Sequence, residues 1–188
     1  ANDQSGNNLN GNVFGASTTT DRFGNVNSAY FFDGIDDFIE VAHNPLLNFD
    51  ANDDFTISVW VQANPALSND LNAEIIAKWN DFPGGNNDPY PYAIRMWTGS
   101  NPGKIRMMRY DKNCSNFPVM ESSQTILNGD WYNIIYRKTG SLLEMMVDGI
   151  VIQSITDNTT CSTTNTNPLY IGKRGGTINL SPFHGKID

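Results

Sequence analysis

The chain reads as an all-β protein, a two-sheet antiparallel β-sandwich of jelly-roll type. Three observations predict this. Apolar and polar residues alternate in run after run, the period of a half-buried strand. Clusters of Gly, Asn, Asp and Pro punctuate those runs at short intervals, as turns require. No stretch carries the apolar spacing of an amphipathic helix.

In chain order, alternation predicts strands over 26–32 and 38–41, where aromatic and β-branched residues flank the turn Asp33-Gly34-Ile35-Asp36-Asp37. The run Phe55-Thr56-Ile57-Ser58-Val59-Trp60-Val61-Gln62 gives the clearest alternation, a strand over 55–62. Strands over 75–79, 92–98, 104–111, 119–126 and 131–138 follow on the same pattern. Val147-Asp148-Gly149-Ile150 marks a hairpin between strands 142–147 and 150–155, because Asp-Gly suits a type I′ turn. Shorter runs over 169–172 and 183–188 complete the set. Two loops, 80–91 and 157–168, are long for a sandwich and so draw functional interest.

At 188 residues with 39% hydrophobic content, one domain over 1–188 with a full core is expected. No apolar run approaches the ~18 residues of a membrane helix. The net charge of −8 opposes nucleic acid binding. That charge is uneven. Residues 1–54 hold nine acids against one base, whereas 95–112 hold Arg95, Lys104, Arg106, Arg109 and Lys112 against Asp111 alone. The second segment is either ordinary surface scatter or a basic patch suited to an anionic ligand. Cys114 and Cys161 both lie in polar, loop-like segments. In a secreted protein they form a disulfide; otherwise they are two separate thiols.

Four segments carry a resemblance. Asp3-Gln4-Ser5-Gly6-Asn7-Asn8, Phe32-Asp33-Gly34-Ile35-Asp36-Asp37-Phe38 and Phe55 to Val61 come first. The ordered set Trp131-Tyr132-Asn133, Val147-Asp148-Gly149, Ile171-Gly172 and Gly185-Lys186-Ile187-Asp188 comes last. Together they resemble the laminin-G-like, concanavalin A-like family of lectin and glucanase jelly rolls, over almost the whole chain. The resemblance implies two antiparallel sheets, one of them concave, in a carbohydrate-binding module, lectin or adhesion domain. It also implies a structural Ca²⁺ held by Asp3, the Gly34 carbonyl and Asp188. Family members continue past the last Asp, so a chain cut within its final strand is expected.

Catalysis is not expected. The glucanases on this scaffold carry E-x-D-x-x-E on one strand, and hydrolysis needs two facing carboxylates. Here Glu74, Glu121 and Glu144 each stand alone in a strand, and only His43 and His184 are present.

The predicted hairpin over 92–111 offers the sharpest ligand clue. With a symmetric turn, Trp97 pairs with Lys104 and Arg95 with Arg106. Ile94, Met96, Ile105 and Met107 then face the core. Two opposed arginines repel, and an anionic sugar substituent could bridge them. Trp97 offers a flat face to a sugar ring, or else caps the sheet. Arg109 extends the basic strand, and Trp79, Phe82 and Tyr90 add aromatics nearby. The expected whole is a secreted, monomeric, non-catalytic module of a larger extracellular protein that binds an anionic polysaccharide. The alternative is a protein-interaction domain of the same fold.

Overall fold

The computed structural model describes residues 1–65, 72–81, 88–97, 102–176 and 181–188. Phe82 and Thr98 lie outside the described residues. The alternating runs become β1 (Gly11–Phe14), β2 (Ser17–Thr19), β3 (Ala29–Asp33), β4 (Phe38–Val41), β5 (Phe55–Ala63), β6 (Asn72–Ala77), β7 (Asn80–Asp81) and β8 (Tyr90–Trp97). Then follow β9 (Lys104–Tyr110), β10 (Val119–Thr125), β11 (Trp131–Thr139), β12 (Leu142–Val147), β13 (Ile150–Thr156), β14 (Leu169–Ile171), β15 (Gly175–Gly176) and β16 (His184–Ile187). Among the described residues a single 3-10 turn, Pro45–Leu47, is capped by Asn44, whose side chain accepts from the Leu46 N–H.

Two seven-stranded antiparallel sheets result. The first runs β1-β4-β14-β6-β8-β9-β10 and the second β13-β12-β11-β5-β16-β3-β2. Between them lie Phe32, Val61, Ile75, Ile94, Met96, Ile105, Met107, Ile134, Leu143 and Phe183, all fully buried. Burying each such side chain stabilises the fold by roughly 1.5–3 kcal/mol. The Asp148-Gly149 hairpin forms as its sequence predicts, with φ of 51° and 77°. β1 and β2 escaped the alternation pattern because they bury almost nothing: they are largely exposed edge strands.

The first sheet is also covered on its outer face. There Ala77, Trp79, Tyr90, Ala93 and Met108 form a second buried cluster. One-residue register shifts in β6, between Glu74 and Ile76, and in β8, between Tyr90 and Ala93, set this up. The shift in β8 turns Tyr90 to the same side as Ala93 and Arg95. The chain after β14 then lies against this face. β15 pairs in parallel with β7, and at Gly175 a Cβ would run into Asn80, Tyr170 and the Trp79 carbonyl. Only glycine permits that approach.

Candidate functional site

The β8–β9 ladder has the register the sequence predicts, with Arg95 opposite Arg106 and Trp97 opposite Lys104. The charges are resolved differently from expectation. Arg95 is only 6% exposed. Its Nε lies 3.5 Å from the buried Glu74 carboxylate, and Nη1 donates to Asn72 Oδ1 at 2.9 Å. Its guanidinium sits 5.1 Å from the Trp79 ring, and that of Arg174 sits 4.5 Å from the same ring. Arg106 and Lys104 approach Glu121, at 3.5 and 3.7 Å. Each of the opposed arginines is therefore paired with a carboxylate of the chain itself, Arg95 with Glu74 on the β6 side and Arg106 with Glu121 on the β10 side. Arg95 is withdrawn as a direct ligand contact, because a covered face hides it. Lys104, Arg106 and Trp97 stay partly exposed, with the Arg106 guanidinium 4.5 Å over the Trp97 ring.

Arg109 is a second correction. It is fully buried and holds loops together. Nη1 donates to Asp157 at 3.0 Å, and Nη2 donates to the Phe49 and Asp50 carbonyls and to Thr163 Oγ1. Strand alternation alone could not show that loop 157–168 closes over it.

The sequence-derived aromatics Trp79 and Tyr90 are stacked, with ring centroids 4.9 Å apart. Together with Tyr110 and Phe117 they line an open cleft of about 280 Å³. Tyr110 stands opposite Tyr90 in the ladder, and Phe117 packs edge-on against both tyrosines. Burial raises the Tyr90 phenol far above its ordinary value, so it stays neutral. Phe117 is half exposed and Tyr110 partly so, which leaves ring faces open to a ligand. The sequence signal for these two was the aromatic pair flanking the Cys114 loop. From Tyr110 the same face of β9 leads through Met108 to Arg106 and Lys104, about 3.3 Å per residue.

A disulfide joins Cys114 and Cys161, with Cα atoms 5.7 Å apart. It ties the loop carrying Phe117 to loop 157–168. Beside it, the buried Asp111 carboxylate accepts from the N–H groups of Asn116, Thr160 and Cys161 and from the Asn116 side chain. Burial alone would raise this carboxyl, but those hydrogen bonds outweigh it and hold it below 3.8. Its stabilisation is thus complete above that pH and is lost as pH falls through the lower folded value. Asp111→Ala is expected to cost about 2–3 kcal/mol at pH 7. Urea unfolding should show the gap to the native chain closing in strong acid.

The expected calcium set does not converge. Ile187 pairs with Tyr30 and His184 with Asp33, so Asp188 and Gly34 lie at opposite ends of that ladder, roughly 16 Å apart along the strand. Calcium ligands sit about 2.3–2.6 Å from the ion. Asp188 is also paired with Arg22, and Asp3 accepts from Ser5 and Leu9 within its own turn. Among the described residues, the carboxylates that do meet, within 4.8 Å, are Asp33, Asp36 and Asp37.

The fold has known relatives. The binding domain of Paraclostridial Mosquitocidal Protein 1 superposes with a TM-score of 0.74 at 19% identity, over 99% of this chain and 45% of that one. The receptor binding domain of botulinum neurotoxin D gives 0.69 at 14% identity, over 98% and 44%. Domain 4 of AbnA, a GH43 extracellular arabinanase from Geobacillus stearothermophilus in complex with arabinotriose, gives 0.65 at 14% identity, over 98% and 82%. The chain thus spans less than half of each of the first two of these chains. No curated protein sequence matches it. Residues 32–188 match the Laminin_G_3 family model, and on that match the chain belongs to the concanavalin A-like lectin/glucanases superfamily.

Proposed function

We propose that this chain is a non-catalytic module that binds an anionic polysaccharide on the outer face of its first sheet. The observation that carries the reading is the aromatic cleft of Trp79, Tyr90, Tyr110 and Phe117, continuous along β9 with Arg106 and Lys104. A sugar ring stacks on the open faces of Tyr110 and Phe117. Acidic substituents meet Lys104 and Arg106, and Arg95 with Arg174 adds positive charge from beneath. Among the ion pairs of the described residues there, four cations face two carboxylates, Glu74 and Glu121, in a chain whose net charge is −8. The arabinotriose complex of the AbnA domain supports sugar as the ligand class. The disulfide supports an extracellular setting.

A catalytic role has less support. Glu74, Glu121 and Glu144 each serve an arginine, the last through Arg137 at 2.6 Å. The second reading is a protein-interaction domain. Phe23, Val26 and Ile35 project from rim loops, each more than 70% exposed, and two fold relatives are a binding domain and a receptor binding domain.

Affinity electrophoresis in gels containing neutral, uronic or sulfated polysaccharide tests the reading. Retardation is expected in an acidic gel, weakened by salt. Lys104→Ala/Arg106→Ala should reduce it at least tenfold with the melting temperature nearly unchanged. Retardation by neutral glycans alone would remove the charge argument, and none at all would favour the protein-interaction domain.

A structural calcium ion belongs to the same proposal, placed at the Asp33–Asp37 turn rather than at Asp3, Gly34 and Asp188. Burial, reinforced by the charges of Asp33 and Asp36, raises the Asp37 carboxyl; a divalent cation would relieve that repulsion. Chelation is expected to lower the melting temperature by several degrees, and Asp37→Asn to abolish this dependence. Identical melting with chelator and with added calcium would remove the ion from the proposal.

A further inference from the structure

Lys78 follows β6 and is fully buried, yet among the described residues no carboxylate pairs with it. Buried lysines normally find such a partner. Its Nζ instead donates to the Asn167 carbonyl at 2.5 Å and to the side-chain Oδ1 of Asn165 at 3.1 Å. Nζ also lies 3.1 Å from Nδ1 of His43. An ammonium only donates, so that imidazole nitrogen is the acceptor.

The Asn165 carboxamide is held on every side. Its Oδ1 accepts the backbone N–H of Asn167 at 3.0 Å. Its Nδ2 donates to the carbonyls of Lys78 and Pro89, both at 2.8 Å. The buried amine and the carboxamide are therefore held against each other by hydrogen bonds, the condition under which an intramolecular reaction gains from proximity. Burial also pushes the Lys78 ammonium down to about 8, so a usable fraction of neutral amine exists near neutral pH.

We propose that Lys78 and Asn165 are a crosslinking pair that forms an amide bond between Nζ and Cγ with loss of ammonia. The neutral Nζ attacks Cγ and passes one proton to His43 Nδ1. The Asn167 N–H steadies the negative charge that grows on Oδ1. The Cγ–Nδ2 bond then breaks, His43 returns the proton to Nδ2, and ammonia leaves. One C–N bond forms and one breaks, with no oxidant or reductant. His43 is partly exposed and opens the cluster to solvent. The product links the end of β6 to loop 157–168, the same loop the disulfide secures.

Intact-mass measurement of the reduced native chain, held at mildly alkaline pH, tests this directly. The expected mass is lower than the sequence mass by one ammonia. Tryptic digestion should fail at Lys78 and release a branched peptide joining Lys78 to Asn165. Lys78→Met and Asn165→Ala should each keep their full sequence masses, and His43→Ala should accumulate the linked form far more slowly. Mass is read rather than melting, because these variants lose hydrogen bonds in any case. A native chain of full sequence mass that is cleaved at Lys78 would overturn the proposal. So would loss of ammonia that persists in Asn165→Ala.

Discussion

Arg109→Ala is expected to lower the unfolding free energy by about 3–5 kcal/mol, read as a fall in the urea midpoint. The guanidinium is fully buried, and the side chain of its partner Asp157 is 2% exposed. Removing the cation strands that carboxylate away from water, together with the Phe49 and Asp50 carbonyls and the Thr163 hydroxyl. An unpaired buried charge costs far more than the pair contributed. Arg109→Met/Asp157→Leu should recover part of the loss, since it removes both charges but leaves the carbonyls unserved. A change below about 1 kcal/mol for Arg109→Ala, the usual range for exposed pairs, would mean that Arg109 faces solvent after all. Its reading as a ligand contact would then return.

Tyr110→Ala/Phe117→Ala is expected to weaken polysaccharide binding about a hundredfold, roughly 1.4 kcal/mol for each lost ring face. Both side chains line the cleft, and neither belongs to the core between the sheets. The melting temperature should fall by only a few degrees. Isothermal titration on the variant and the native chain, checked against their thermal melts, separates the two effects. Binding that survives the double substitution would move the ligand off this cleft.

Strand alternation was legible where one face of a strand meets the core and the other meets water. β4 and β12 fall on the predicted residues, and β5, β9 and β11 within one residue of them. It failed informatively in β8, where both faces are buried. There the residues a half-buried strand would expose, Arg95 among them, lie beneath the chain that follows β14. No local pattern announces such a cover; it depends on Gly175 reaching Asn80 across some ninety residues of sequence. Arg109 was misread for the same reason, since its partners come from the segments around residues 49–50 and 157–163. The calcium set failed on register, because motif order places Asp188 near Gly34 in meaning but the β3–β16 ladder places them at opposite ends. The cleft was half legible. Trp79 and Tyr90 stood out as aromatics beside a long loop, whereas Tyr110 and Phe117 join them only through the Tyr90–Tyr110 pairing and the fold of the Cys114 loop.

The most direct measurement is an amide chemical-shift titration of the chain with an oligosaccharide cut from the acidic polysaccharide that retards it. Shifts are expected to concentrate at Tyr90, Trp97, Arg106, Tyr110 and Phe117, saturating together at one affinity. Shifts centred instead on the outer face of the second sheet, with β8 and β9 unmoved, would contradict binding at the aromatic cleft.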